Sequence, residues 1–147
     1  MSLQSQTSNM KVLASLLSDD LGYIFGERES GPNGAKKAFL SRGGAFLRAL
    51  GKDLGFEVSK VSTNKGGIAV SGDVSIFGLW EDSGLYIQLS QMFNNNVLMY
   101  RTITRLDDYR GGINHFIKLD ELRRADYAGL VLKLLDLKET TTAQIAA

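Results

Sequence analysis

The pattern of apolar and polar residues along the chain begins with a helix. Met10 and Leu13 fall on one helical face, and Asn9 stands just before them, where an N-cap residue is favoured. The pattern fades at Gly22, so we expect this helix to begin at Asn9 and to end near Gly22. The turn residues of segment 26–34 then predict a loop.

A second helix is predicted after this loop, and its two faces differ in character. Placing residues at 100° steps brings the apolar positions onto one stripe, namely Phe39, Gly43, Phe46, Leu47, Leu50 and Leu54. Each glycine of the Gly43-Gly44 pair should cost the helix about 1 kcal/mol relative to alanine. We therefore expect either close packing of another element against Gly43 or a break between two short helices.

From residue 56 the hydrophobic period changes from 3.6 to 2, which is typical of strands. Four segments are predicted to be strands separated by short turns: residues 56–61, 68–76, 85–89 and 97–103. Short turns join antiparallel neighbours, because parallel neighbours need long crossovers. The four segments therefore predict an antiparallel meander.

The last predicted element, Leu119–Leu137, returns to helical spacing, and Asp120 or Asp126 is placed to cap it. The order α-α-β-β-β-β-α predicts an α+β fold, with all 147 residues in a single two-layer domain. In this fold the helices pack on one face of a four-stranded antiparallel sheet. The start of the chain, residues 1–8, and its tail, residues 138–147, are expected to be flexible.

The amino-acid composition excludes several kinds of functional site. The chain contains no cysteine and one histidine, which excludes disulfide frameworks, cysteine nucleophiles and metal sites built on thiolates or on two imidazoles. No apolar run reaches the length of about 20 residues that a membrane span needs, and the first residues lack the pattern of a secretory signal. We expect a cytoplasmic protein that uses no cofactor and no metal.

Charge is balanced in total but uneven along the chain. The formal net charge is +1, whereas residues 35–67 carry seven basic and two acidic side chains. We predict that six cations engage a polyanion: Lys37, Arg42, Arg48, Lys52, Lys60 and Lys65. Three of them share, with Ser41, the face of the second helix opposite its apolar stripe. A row of cations favours phosphate backbones through counterion release; a solvated polar face is the alternative.

A cation followed by two glycines occurs three times, at Arg42, Lys65 and Arg110. Glycines let backbone amides approach an anion closely, and the neighbouring cation adds positive charge. No copy matches a phosphate-loop pattern, so turn-forming glycines beside solvated cations are the alternative interpretation.

Segment 107–115 gathers polar residues of the kinds that a catalytic site uses. His115 is a candidate general base, with Asp107 or Asp108 orienting its ring. Arg101 or Arg110 is a candidate for stabilising a developing oxyanion, and the spacing matches no metal-ligand motif. In the alternative interpretation the aspartates are turn residues and His115 opens a short extended segment, His115–Lys118, before the last helix.

The predicted sheet has a second face, which the helices leave uncovered. We place Phe77 and Tyr86 on this face, joined by Tyr100. Aromatic side chains in such a position predict a surface for a protein partner or for unpaired bases. A cross-strand pair that stabilises the sheet is the alternative.

These features favour a small non-catalytic binding protein that engages a polyanion, nucleic acid or a nucleoprotein, through a basic helix face. The alternative is an adaptor or inhibitor that docks on another protein through the exposed sheet face. A hydrolase or transferase centred on His115 is the third hypothesis.

Overall fold

The computed structural model of the protein describes residues 3–18, 35–64, 72–90, 96–106 and 112–146. These ranges contain four helices and five strands, which follow the chain as α1 (Leu3–Ser18), α2 (Ala35–Asp53), β1 (Val58–Asn64), β2 (Asp73–Leu79), β3 (Gly84–Ser90), β4 (Asn96–Ile103), β5 (His115–Lys118), α3 (Leu119–Arg123) and α4 (Tyr127–Ala146). The fold is α+β, with an antiparallel sheet and helices, as the hydrophobic pattern predicts.

Helix α1 begins earlier than the apolar pattern indicates. It starts at Leu3, so Asn9 lies inside the helix and is not its N-cap. The Asn9 side chain instead donates from Nδ2 to Oε1 of Gln6 at 3.0 Å, and Gln6 is fully buried. Polar residues at the start of the chain therefore join the helix through side-chain hydrogen bonds, which an apolar pattern does not register.

The Gly43-Gly44 pair does not break the second helix. Helix α2 runs without interruption from Ala35 to Asp53. A Cβ placed on Gly43 would lie 2.6 Å from Cγ1 of Val74 in β2, closer than a side chain can be tolerated. The prediction of close packing at Gly43 is confirmed, because only a residue without a Cβ allows this approach.

Alanine substitution of the two adjacent glycines is expected to change the free energy of unfolding in opposite directions. Gly44→Ala should raise the free energy of unfolding by about 0.5–1 kcal/mol, because the helix gains propensity and the nearest group is the mobile end of Arg48, 3.4 Å from the new Cβ. Gly43→Ala should lower it by about 1 kcal/mol, because overpacking against Val74 costs about 1–3 kcal/mol. Urea unfolding followed by circular dichroism measures both; equal stability of the two variants would contradict the close packing.

The five strands form one antiparallel sheet in the order β1-β2-β3-β4-β5, which confirms the meander. Its inner face packs on the helices and is defined by Val74, Ile76, Leu85, Ile87 and Leu89. Its outer face carries the residues that alternate with these along each strand. Phe77 and Tyr86 are directly opposite each other on the outer face.

The sheet has five strands where the sequence predicted four. The additional strand is β5, which pairs with β4 through Leu98 opposite Ile117 and Tyr100 opposite His115. This segment lacks a clear alternation, because the apolar residues Phe116 and Ile117 are adjacent. Pairing with β4 satisfies the backbone of this segment, so His115–Lys118 is extended, as the alternative interpretation of its loop predicted.

The predicted closing helix is divided into α3 and α4. Ala125 has a φ of 53°, a left-handed conformation that costs an L-residue about 1–2 kcal/mol. Oδ1 of Asp126 then accepts the backbone N–H of Gly129 at 3.0 Å and caps the first turn of α4. Asp126 is thus one of the two predicted caps, and its cap begins a second helix after the break.

Both ends of the described chain are helical. Helix α1 reaches back to residue 3, and α4 continues to residue 146, past the predicted end at Leu137. The flexibility expected for residues 1–8 and 138–147 stays a prediction. Within the described ranges, no helix has the length and apolar character that a membrane crossing requires.

The helices and the inner face of the sheet share one hydrophobic core. Leu13 of α1, Leu50 of α2 and Leu134 of α4 are fully buried in the same cluster as Ile87 of β3. The apolar stripe of α2 is turned towards this core. Its opposite face is therefore left for solvent or for a partner.

Candidate polyanion-binding face

The exposed face of α2 carries Lys37, Ser41, Arg48 and Lys52, here named the basic stripe. All four residues are exposed. At the rise of an α-helix the row is about 22 Å long, and Arg48 and Lys52 are separated by about 6 Å along the helix axis. The part of the predicted basic surface that lies on α2 opposite the apolar stripe therefore forms one exposed row.

Gly44 shapes the middle of the basic stripe. A Cβ on Gly44 would lie 3.4 Å from Nη1 of Arg48 and 3.9 Å from its Cζ. The guanidinium group therefore lies against the helix, in the space that a side chain at position 44 would occupy. The positive charge of Arg48 therefore lies close to the surface of α2, beside Gly44.

The other predicted cations do not all join the basic stripe. Arg42 is exposed but is turned roughly 110° from the stripe around the helix axis. Lys60 is directly opposite Phe77 in β2, so it lies on the outer face of the sheet. Lys65 lies outside the described residues. Lys60 therefore does not share a surface with the basic stripe, because residue 60 alternates with the inward-facing Val61; its part in polyanion binding stays a prediction.

Acidic side chains are scarce on α2, the helix that carries the basic stripe. Asp53 is the single acidic residue of α2, and its Oδ2 accepts a hydrogen bond from the Tyr127 hydroxyl group. Two ion pairs of the described chain join Arg123 to Asp120 and Lys133 to Glu121, in α3 and α4. No described carboxylate pairs with the lysines or the arginine of the stripe; Asp19 and Asp20 lie outside the described residues.

A polar network that is partly buried joins α2 to α1 and α4. Gln6 of α1 donates from Nε2 to the backbone carbonyl of Phe46 at 3.3 Å. The ring of Tyr127 meets that of Phe46 edge-on, with centroids 6.0 Å apart, and the Tyr127 hydroxyl group donates to Asp53. The sequence pattern did not reveal this network, because a glutamine in a polar segment carries no periodic signal.

Because of this network, the stability of the fold is expected to decrease as the pH rises in the alkaline range. Burial of the phenol raises the pKa of Tyr127 far above its ordinary range, and the hydrogen bond to Asp53 raises it further by a smaller amount. Because the folded state holds this proton more tightly, its stabilisation is complete below about pH 10, where an unfolded tyrosine titrates, and is lost as the pH rises further. Burial also raises the pKa of Tyr100, which adds a similar dependence.

Tyr127→Phe is expected to lower the free energy of unfolding by about 1–2 kcal/mol at neutral pH, because the hydrogen bond to Asp53 is lost. Above pH 10 the gap between variant and wild type should narrow, because the variant has no phenol to ionise at this position. Urea unfolding at neutral pH and above pH 10 measures both effects. A gap that stays constant would contradict a role for the hydroxyl proton.

The aromatic residues predicted for the sheet surface are separated by the sheet. Phe77 and Tyr86 form a pair on the outer face, with ring centroids 4.6 Å apart, but Phe77 is only 7% exposed. Tyr100 is opposite Ile87 and belongs to the inner core. The expected grouping of three rings is therefore wrong for Tyr100, because the period of the strand turns it inward. A docking role for the outer face stays a prediction.

His115 lies on β5 and is packed in the sheet. Its ring stacks on Tyr100, with centroids 5.1 Å apart and planes 19° apart. Of the residues proposed to act with it, Asp107, Asp108 and Arg110 lie outside the described residues. The fourth, Arg101, donates from Nη2 to the backbone carbonyl of Gly112. Among those that are described, no three side chains of metal-binding type come together. The stacked position of His115 gives the hydrolase or transferase hypothesis no added support.

Two clefts in the described surface are small. One lies between α1, β5 and α4, and the other lies beside Trp80 at the β2–β3 turn; each encloses about 200 Å³, below the roughly 300 Å³ at which small-molecule sites usually begin. In the first cleft Lys133 pairs with Glu121 at 3.3 Å. In the second, Nζ of Lys138 lies 5.2 Å from the centre of the Trp80 ring. A lysine in each cleft is thus engaged by the protein itself.

Among the candidate groups that are described, the cations of the basic stripe are exposed on one helix face, whereas Phe77 is buried and His115 is stacked on Tyr100. Comparison of the chain with protein-family models, with curated proteins and with solved structures finds no match.

Proposed function

We propose that the protein binds a polyanion, nucleic acid or a nucleoprotein, through the basic stripe of α2. The observation that supports this proposal is the exposure of Lys37, Arg48 and Lys52 in one row without a described carboxylate paired to them. Each phosphate contact made by such a cation releases condensed counterions, and this gain does not depend on base sequence.

The packing of α2 against the rest of the protein also favours binding. Helix α2 is packed closely on β2 at Gly43, and Gln6 of α1 holds the Phe46 carbonyl on the buried side of the helix. A row of charges on a fixed helix loses less conformational entropy on binding than the same charges on a loop. The fold therefore presents the three cations with their spacing already set.

A titration against nucleic acid tests the proposal. Fluorescence anisotropy of a labelled duplex of about 20 base pairs, measured from about 50 to about 200 mM salt, gives the affinity and its salt dependence. Three phosphate contacts predict a slope of log K on log salt of about −2.7, which is roughly a 40-fold loss of affinity over this range. Absence of binding at the lowest salt, or an affinity that salt does not change, would contradict the proposal.

A further inference from the structure

The basic stripe lacks the groups that bind unpaired bases. Besides its lysines and its arginine, the exposed side chains that are described on this side of α2 are those of Ser41 and Ala45. Neither has a ring, and sequence-tolerant binding of single strands depends on aromatic side chains on which successive bases stack. The stripe therefore offers positive charge and a hydroxyl group, both suited to phosphate oxygens.

The aromatic side chains of the described chain lie elsewhere. Phe39 and Phe46 of α2 are buried in the core. Phe116, the most exposed aromatic residue among those described, is on the outer face of the sheet, opposite Met99. The Phe77–Tyr86 pair is on that face too, on the side of the sheet away from α2. A single nucleic-acid strand bound along the basic stripe thus meets no described ring that would stack on its bases.

From these positions we infer that the preferred ligand of the basic stripe is the phosphate backbone of a nucleic-acid duplex, bound without regard to sequence; this inference rests on the proposed function. A duplex has a higher and more regular charge density than a single strand, and it releases about 0.9 counterion per contact instead of about 0.7. A duplex also binds without first being ordered. A single strand releases fewer counterions and must be ordered on binding, and without a described ring to stack on it gains no binding energy that would offset these losses.

The geometry sets the size of the site. A row of about 22 Å corresponds to about 7 base pairs at the axial rise of about 3.4 Å per nucleotide of one strand. Affinity should therefore rise steeply with duplex length up to about 7 base pairs. Beyond this length it should rise only as the number of overlapping sites increases.

Competition experiments test the inference with four probes: two duplexes of unrelated sequence, a single strand of equal length, and inorganic polyphosphate. At about 50 mM salt the difference in counterion release predicts that a duplex binds roughly 5- to 10-fold more tightly than the single strand. The two duplexes should agree within about twofold, because phosphate contacts carry no sequence information. Polyphosphate, which is flexible, should compete less well per phosphate than either duplex.

The outcomes separate this inference from the proposed function. A single strand or polyphosphate that binds as tightly as a duplex would overturn the duplex preference and leave polyanion binding intact. Failure of all four probes to bind would overturn both. A Tyr86→Leu variant is the control for the outer face of the sheet; we expect its affinities to equal those of the wild type, and selective loss of single-strand binding would place a stacking site there and contradict the inference.

Discussion

Reversing the charges of the basic stripe is expected to weaken binding of a labelled duplex by at least about 100-fold at about 50 mM salt. The variant combines Lys37→Glu, Arg48→Glu and Lys52→Glu. It removes the three proposed phosphate contacts and places carboxylates in the path of the backbone. The salt slope should fall from about −2.7 towards zero, since each lost contact removes about 0.9.

A matched variant separates position from net charge. Lys118→Glu, Arg123→Glu and Arg124→Glu reverse three exposed cations at β5 and α3, so the two variants carry the same formal net charge. We expect this control to keep most of the wild-type affinity and its salt slope. Equal loss in both variants would show that overall charge governs binding and would contradict the basic stripe. Circular dichroism checks that both variants are folded.

Trp80→Ala is expected to cause the largest loss of stability, about 3–5 kcal/mol. Trp80 is 5% exposed and follows β2, and its ring lies 5.0 Å from that of Phe56, centroid to centroid. Its Nε1 donates to the backbone carbonyl of Leu54 at 2.7 Å. The side chain therefore joins the end of α2 to the turn of the sheet, and truncation leaves a cavity and an unpaired carbonyl group.

Trp80→Phe separates the contribution of the aromatic ring to stability from that of the hydrogen bond. It keeps most of the apolar surface and removes the donor to Leu54, so we expect a loss of about 1–3 kcal/mol. Urea unfolding followed by circular dichroism suits both variants, because Trp80 is the only tryptophan. If Trp80→Ala unfolds too easily to be measured, the phenylalanine variant still tests the hydrogen bond; stability equal to the wild type would contradict its contribution.

Long periodic segments were the predictable part of this fold. Helix α2 was expected from its apolar stripe, and close packing at Gly43 was one of the two outcomes expected from its place on that stripe. The basic stripe was predicted for the same reason: residues at 100° steps share a face wherever the helix packs. The exposure of Lys37 and Arg48 follows from the burial of Phe46 and Leu47 on the other side.

Short or aperiodic segments were not predictable in this way. Strand β5 has four residues, and its identity depends on pairing with β4, which no local pattern contains. Gln6 is buried because α1 begins at Leu3 and packs beside Phe46. Segment 107–111 holds most of the loop around the proposed histidine site and lies outside the described residues, so that hypothesis stays a prediction.

The amino-acid sequence by itself determined the fold class, the meander and the charged face of α2, because these depend on periods of 3.6 and 2 within a few consecutive turns or strands. Only the tertiary structure decided which cations share a surface. Lys60 and Lys37 belong to the same basic segment of the chain, yet the alternation of β1 turns Lys60 to the far side of the sheet. Whether charges converge depends on how the elements pack, and packing is a property of contacts between residues distant in sequence.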